Sequence, residues 1–189
     1  GTLRNLQSLD LGQNAFVGAI PPELGDLTNL QALYLHNNQL TGEIPASFGN
    51  ATSGTIVVAN SPKDASHLTA ANNLRRLWLS GNQLTGEVPE SLKSLTALEE
   101  LLLERNQLTG ESVMRVLPVL TNLQTLDIGR NRFSGTVPAA IGNLRRLRFL
   151  ALRGNQFSGA LPSALGNLDT LQTLLLDSND FTGTVPPQL

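Results

Sequence analysis

The chain has no cysteine among its 189 residues, so disulfide scaffolds, zinc ribbons and thiol chemistry are excluded. Aromatic residues supply only 4%, with one Trp and one Tyr. Neither sign of charge dominates. Thirteen basic residues against 15 acidic ones give a net charge of −2, and no global pull toward nucleic acid or an anionic membrane follows. No apolar run approaches the roughly 18 residues of a membrane span, and no signal-peptide pattern starts at Gly1. What the chain has instead is Leu, 38 residues or about a fifth, with 17 Asn, 17 Gly and 10 Pro. That mixture is too apolar for disorder and too rich in Leu, Asn and Gly for an ordinary mixed fold.

The Leu, Asn, Gly and Pro residues fall in a repeat. Leu6-x-x-Leu9-x-Leu11-x-x-Asn14-x-Phe16-x-Gly18-x-Ile20-Pro21 returns 24 residues later with Leu30, Leu33, Leu35, Asn38, Leu40, Gly42, Ile44 and Pro45. Further copies start at Leu74, Leu98, Leu123, Leu147 and Leu171, which makes seven. Asn and the Gly four residues later occur in all seven copies, and Pro in six. The copy from Leu98 lacks the Pro, and its stretch Glu111–Leu117 reads as more helical than its counterparts. Between Leu30 and Leu74 the spacing widens to 44, so about 20 extra residues follow Gly49.

Each repeated residue has a physical reason. L-x-L alternation is the period of a strand with one buried face. A 24-residue unit cannot bury its Leu set alone, so stacked units share one core. An Asn entering that core must satisfy its amide. The expectation is a buried ladder of Asn14, Asn38, Asn82, Asn106, Asn131, Asn155 and Asn179, each bonding the backbone of its own and the next coil. Two residues on, Phe16, Leu40, Leu84, Leu108, Phe133, Phe157 and Phe181 read as an apolar spine. The Gly suits a tight bend, and the Pro fixes φ on the outer side, where no ladder donor is needed.

These residues closely resemble the leucine-rich repeat family, in its 24-residue plant-type class, over everything except roughly residues 51–72. The resemblance implies an α/β repeat solenoid, a right-handed superhelix with parallel strands on the concave face. It places 3₁₀ turns and loops on the convex side and a second short strand before the Ile-Pro step. It also implies extracellular recognition of a protein or peptide, as in receptor-like kinase ectodomains and polygalacturonase-inhibitor-like proteins.

Residues 1–189 are therefore read as one solenoid of seven repeats, with 51–72 an insertion between repeats two and three. Both ends fall within the repeat pattern without a capping unit. The expectation is a piece of a longer solenoid that needs capping, with further repeats, a membrane span or a kinase among the possible neighbours. Asn50-Ala51-Thr52 is the chain's one N-x-S/T triplet, which makes Asn50 a glycosylation candidate at the entrance to the insertion. The insertion itself reads either as a tolerated surface loop or as a flap beside the strand of Trp78.

Positions that do not repeat are free to encode a partner. Side chains flanking the strand Leu residues point out of the concave face, about 4.8 Å apart between coils. One such column reads Asp10, Tyr34, Trp78, Leu102, Asp127, Ala151, Leu175. It places the lone Tyr and the lone Trp side by side, with Leu102 next. Rigid aromatic side chains among polar groups are typical interface anchors. The candidate ligand-binding set is Tyr34, His36, Arg76, Trp78, Glu100, Leu102, Glu104 and Arg105. Arg76 with Glu100, and Arg153 with Asp177, are expected as cross-strand ion pairs, whose plainer role is local.

Catalysis finds little support. Asp10, His36 and Ser80 lie on three successive coils, but no nucleophile elbow accompanies them, and an open sheet excludes water poorly. Glu100 and Glu104 are roughly 13 Å apart along one strand, beyond glycosidase spacing. His36 and His67 belong to different contexts, and no metal-ligand spacing or phosphate-binding glycine loop occurs. The reading is a non-catalytic module with no cofactor and no metal, taking a protein or peptide and not nucleic acid, at the cell surface or outside the cell. The alternative is a structural or surface-adsorbing protein that binds ice or polysaccharide through the hydroxyl row Thr41, Thr85, Thr109, Ser134, Ser158 and Thr182. Glu43, Glu87 and Glu111 beside that row argue against a flat ice-binding face.

Overall fold

The computed structural model describes residues 3–49 and 73–189. Asn50 and the insertion 51–72 lie outside the described residues. Each coil contributes two short strands. They are β1 (Ser8–Asp10) and β2 (Val17–Ala19), β3 (Ala32–Tyr34) and β4 (Gln39–Gly42), β5 (Arg76–Trp78) and β6 (Gln83–Leu84), and β7 (Glu100–Leu102) and β8 (Thr109–Gly110). Then follow β9 (Thr125–Asp127) and β10 (Arg132–Thr136), β11 (Phe149–Ala151) and β12 (Gln156–Ala160), and β13 (Thr173–Leu175) and β14 (Asp180–Thr182).

The odd-numbered strands form one seven-stranded parallel sheet in chain order. Their central residues Leu9, Leu33, Leu77, Leu101, Leu126, Leu150 and Leu174 stand in register. Leu77, Leu101, Leu126 and Leu150 are fully buried, each worth about 1.5–3 kcal/mol on removal from water. The even-numbered strands make a three-stranded sheet (β2, β4, β6) and a four-stranded one (β8, β10, β12, β14), and the Gln107 N–H to the Leu84 carbonyl (2.8 Å) and the Thr109 N–H to the Gly86 carbonyl (2.9 Å) carry the backbone pairing from one to the other. The chain is thus an α/β repeat solenoid dominated by strand and loop.

Pro21, Pro45, Pro89, Pro138 and Pro162 each precede a 3₁₀ turn, with φ between −77° and −61°. The fourth coil lacks Pro at that position and forms α1 (Val113–Val116), matching the helical reading of that stretch, followed by a 3₁₀ turn over Leu117–Val119. Ser112 anchors the helix by donating from Oγ to the Val88 carbonyl at 3.1 Å.

The Asn ladder is present in its middle. Asn131 Oδ1 accepts from the Leu108 N–H at 3.0 Å, and its Nδ2 donates to the carbonyls of Leu103 (3.0 Å), Gly129 (3.1 Å) and Ile128 (3.2 Å). Asn38, Asn82, Asn106 and Asn155 are likewise buried, and each bonds its own coil and the coil before it, not the next one. The two outermost members differ from expectation. Asn14 is exposed and Asn179 half-buried, because each has a described coil on one side only. Phe16 is exposed for the same reason, whereas Phe133, Phe157 and Phe181 stack at 6.4 and 6.5 Å.

A second ladder runs along the edge where chains enter the concave strands. Asn29 Nδ2 donates to the Arg4 carbonyl (2.8 Å), Asn73 to Thr28 (3.2 Å) and Asn122 to Thr96 (2.8 Å). Thr170 Oγ1 continues it to the Arg145 carbonyl at 2.9 Å. These contacts tie the second, third, fifth and seventh coils to the one before each, outside the core.

Candidate ligand-binding surface

Register puts Tyr34 opposite Trp78, Trp78 opposite Leu102, and Leu102 opposite Asp127. Tyr34 and Trp78 meet edge to face with ring centroids 4.7 Å apart, although 44 residues separate them in sequence. His36 joins them, 5.6 Å from Trp78 and 6.5 Å from Tyr34, also edge to face. All three rings are half-buried. Edge-to-face packing of this kind fixes the rings before any ligand arrives.

Polar partners hold the cluster on its far side. Trp78 Nε1 donates to Glu100 Oε2 at 2.9 Å, and Arg76 Nε donates to Glu100 Oε1 at 3.2 Å. Glu100, and to a lesser degree Tyr34, raise the Arg76 pKa above its ordinary value by favouring the cation. The expected Arg76–Glu100 pair therefore exists, and it orients the indole.

Next to the rings lies a groove of about 330 Å³ lined by His36, Trp78, Ser80, Leu102, Glu104, Arg105 and Asp127, among others. Glu104 stands at its wall, where three guanidiniums converge. Its Oε1 lies 3.0 Å from Arg153, 3.7 Å from Arg130 and 3.9 Å from Arg105. Arg153 was expected to pair with Asp177 on the next coil. It instead reaches back two coils to Glu104, and Gly129 leaves the space: a Cβ there would sit 3.1 Å from Arg153 Cγ. His36 leans in the same way over Gly12, where a Cβ would come within 2.3 Å of the ring. Glycine in this column is thus a gap that lets the following coil's side chain lie flat.

Asp127 is buried, and its Oδ1 accepts from the Gly129 N–H at 2.9 Å. Desolvation raises its pKa, and Glu104 adds to this, while the Gly129 N–H, Arg153 and Arg130 oppose it. Arg105 and Arg130 have φ of +56° and +52°, where Gly81 and Gly154 stand in other coils. Left-handed backbone at a residue with a Cβ costs about 1–2 kcal/mol, so these arginines occupy positions that the fold would give to glycine.

All eight residues singled out in the sequence fall on this one face, spread over the second, third and fourth coils. Asp127, Arg130 and Arg153 of the neighbouring coils belong to the same network and were not singled out. Asp127 stands in the outward column of Tyr34 and Trp78, but nothing in the sequence signals that Arg153 bypasses its neighbour Asp177. Among the described residues no three His, Asp or Glu side chains cluster as metal ligands, and no helix is long and apolar enough to cross a membrane.

Known proteins place this architecture. Family models described as Leucine rich repeat, Leucine Rich repeats (2 copies) and Leucine Rich Repeat match residues 121–181, 4–46 and 73–95. No curated protein sequence matches the chain. Among solved structures, the plant peptide hormone receptor RGFR1 in complex with RGF2 is 32% identical with a TM-score of 0.83, covering 96% of this chain and 26% of that one. The ectodomain of the Arabidopsis receptor kinase HAESA, in complex with an N-terminally extended IDA peptide hormone, is 34% identical with a TM-score of 0.83, covering 98% and 27%. The chain spans about a quarter of the length of these receptors. The ectodomain of the receptor kinase SOBIR1 from Arabidopsis thaliana is 30% identical with a TM-score of 0.63, covering 78% of this chain and 68% of that one. With the repeat, its Asn ladder and these matches in agreement, the chain belongs to the leucine-rich repeat family, in its plant-type class.

Proposed function

We propose that this chain is the recognition part of a larger receptor-like protein acting outside the cell, and that its concave face binds a peptide or protein ligand. Residues 1–189 act as one solenoid of seven repeats, with 51–72 an insertion in the sequence between repeats two and three. The observation that carries the reading is the preassembled Tyr34–His36–Trp78 cluster bordering a groove. Such rings offer large contact area with few side-chain rotations to lose. Arg76, Glu100, Leu102, Glu104 and Arg105 surround them with mixed polarity, which suits a peptide better than a polyanion. The RGFR1 and HAESA structures, which this chain resembles, hold peptide hormones.

The surface-adsorbing alternative needs a continuous flat array. The side chains of Glu43, Glu87 and Glu111 lie over Gly86, Gly110 and Gly135 beside the hydroxyl row, so charged groups break the flatness such a face requires. That favours the concave face.

Trp78 is the chain's single Trp, so its emission reports directly on this surface. Synthetic RGF2 and IDA peptides are the first probes, followed by peptides selected from a random library. The reading predicts a saturable change in Trp78 emission on binding. A peptide that binds by calorimetry and leaves the emission untouched would place recognition elsewhere.

A further inference from the structure

The sixth coil carries a cluster of positive charge that the fold does not use. Arg145, Arg146 and Arg148 stand within four consecutive residues, all exposed, and none forms an ion pair among the described residues. The repeat supplies the comparison. At the positions of Arg145 and Arg146 the preceding coil has Thr121 and Asn122, and the second coil has Thr28 and Asn29. Asn29 and Asn122 each donate to the coil before. Arg146 makes no such backbone bond. Its Nη1 instead donates to Asn122 Oδ1 at 2.7 Å, which leaves the guanidinium fixed at the surface.

Arg148 shows the same contrast. The equivalent Arg75 is neutralised by Glu99 on the next coil. The coil neighbours of Arg148 are Gln124 and Gln172, which carry no charge. Asp169, at the Arg145 position one coil on, forms no ion pair with it. From Arg105 to Arg153 the chain holds eight Arg and only two acidic residues, Glu111 and Asp127. Of these eight, Arg105, Arg130 and Arg153 gather on Glu104 and Arg115 on Glu90, so Arg132, Arg145, Arg146 and Arg148 stand without an ion pair among the described residues, and only the last three stand together.

We propose that Arg145, Arg146 and Arg148 form a second interaction surface, at the edge of the solenoid, for a short acidic segment of a protein partner. Guanidinium forks match carboxylates in bidentate geometry, and their positions one coil wide suit two or three closely spaced carboxylates. A long polyanion would need a basic row running from coil to coil. The flanking coils offer Thr121, Asn122 and Gln124 on one side and Asp169, Thr170 and Gln172 on the other, so no such row exists. This surface is independent of the concave site and stands or falls separately from it.

The test uses the whole chain and a fluorescent hexaglutamate peptide, read by anisotropy at low and at moderate salt. The variant Arg145→Thr, Arg146→Asn, Arg148→Gln copies the preceding coil and is built to fold, which circular dichroism verifies. Arg132→Gln, an exposed arginine on β10, is the control. The expected result is salt-sensitive binding, weakened about tenfold or more by the triple variant and little changed by the control. Absence of binding, equal binding by the triple variant, or an equal loss in the control overturns the proposal. Tighter binding of an oligogalacturonate of matched charge through the same three arginines also overturns it, in favour of a glycan surface.

Discussion

Arg153 donates from Nη2 to Glu104 Oε1 at 3.0 Å across an intervening coil, passing over Gly129. Arg130 and Arg105 approach the same oxygen, so one carboxylate organises three guanidiniums from three coils. The pair is partly shielded, with 30% and 20% of the side chains exposed, which places it above a free surface ion pair in strength. A double-mutant cycle of Glu104→Gln with Arg153→Gln should give a coupling of about 1 kcal/mol in chemical denaturation. Zero coupling would mean that the contact contributes nothing to holding the groove wall.

Gly129 is the gap that allows this contact. Gly129→Val should push Arg153 aside and lower stability by about as much as Glu104→Gln does, about 1 kcal/mol, through loss of the same contact. The two substitutions should be non-additive when combined. Simple addition of their effects would separate the glycine from the ion pair.

Asn131 saturates four backbone groups, whereas Asn14 reaches only the Leu11 and Gly12 carbonyls of its own coil. Asn131→Ala should therefore cost about 1–3 kcal/mol, and Asn14→Ala clearly less. Thermal unfolding of the two variants side by side decides this, and equal losses would contradict the ladder's dependence on bonds to the preceding coil.

Asp127 links stability to pH. Burial raises its folded pKa above the ordinary 3.8, so the folded chain holds this proton more firmly than the unfolded chain. The contribution is complete below 3.8 and is lost as pH rises through the raised value. Asp127→Asn keeps an oxygen for the Gly129 N–H and removes the titration. It should be more stable than the parent at neutral pH, with a flatter stability profile across that window. An unchanged slope would mean that another group sets the pH dependence.

The fold was legible because its signals repeat. Gly86 and Pro89 say little alone, yet the same residues at the same offsets in coil after coil leave few architectures open. The Tyr34–Trp78 contact could be read for the same reason, since register follows from the Leu positions. Arg153 could not be read, because a long side chain chooses its partner by the space available, and that space is set by Gly129. The second ladder was hidden because Asn29, Asn73 and Thr170 do similar work with different residues, and Arg146 interrupts them. Asn14 carries the same repeat signature as Asn131, yet it is exposed because no described coil precedes it to accept its bonds.

The central claim is that the ligand contacts the concave aromatic cluster. Its most direct test is the affinity of a library-selected peptide for Trp78→Ala, with Thr109→Ala on the outer sheet as the control. The account predicts that Trp78→Ala loses about 2 kcal/mol or more of binding free energy while Thr109→Ala stays close to the parent. Binding that survives Trp78→Ala and fails with Thr109→Ala would move the site to the opposite face and contradict the account.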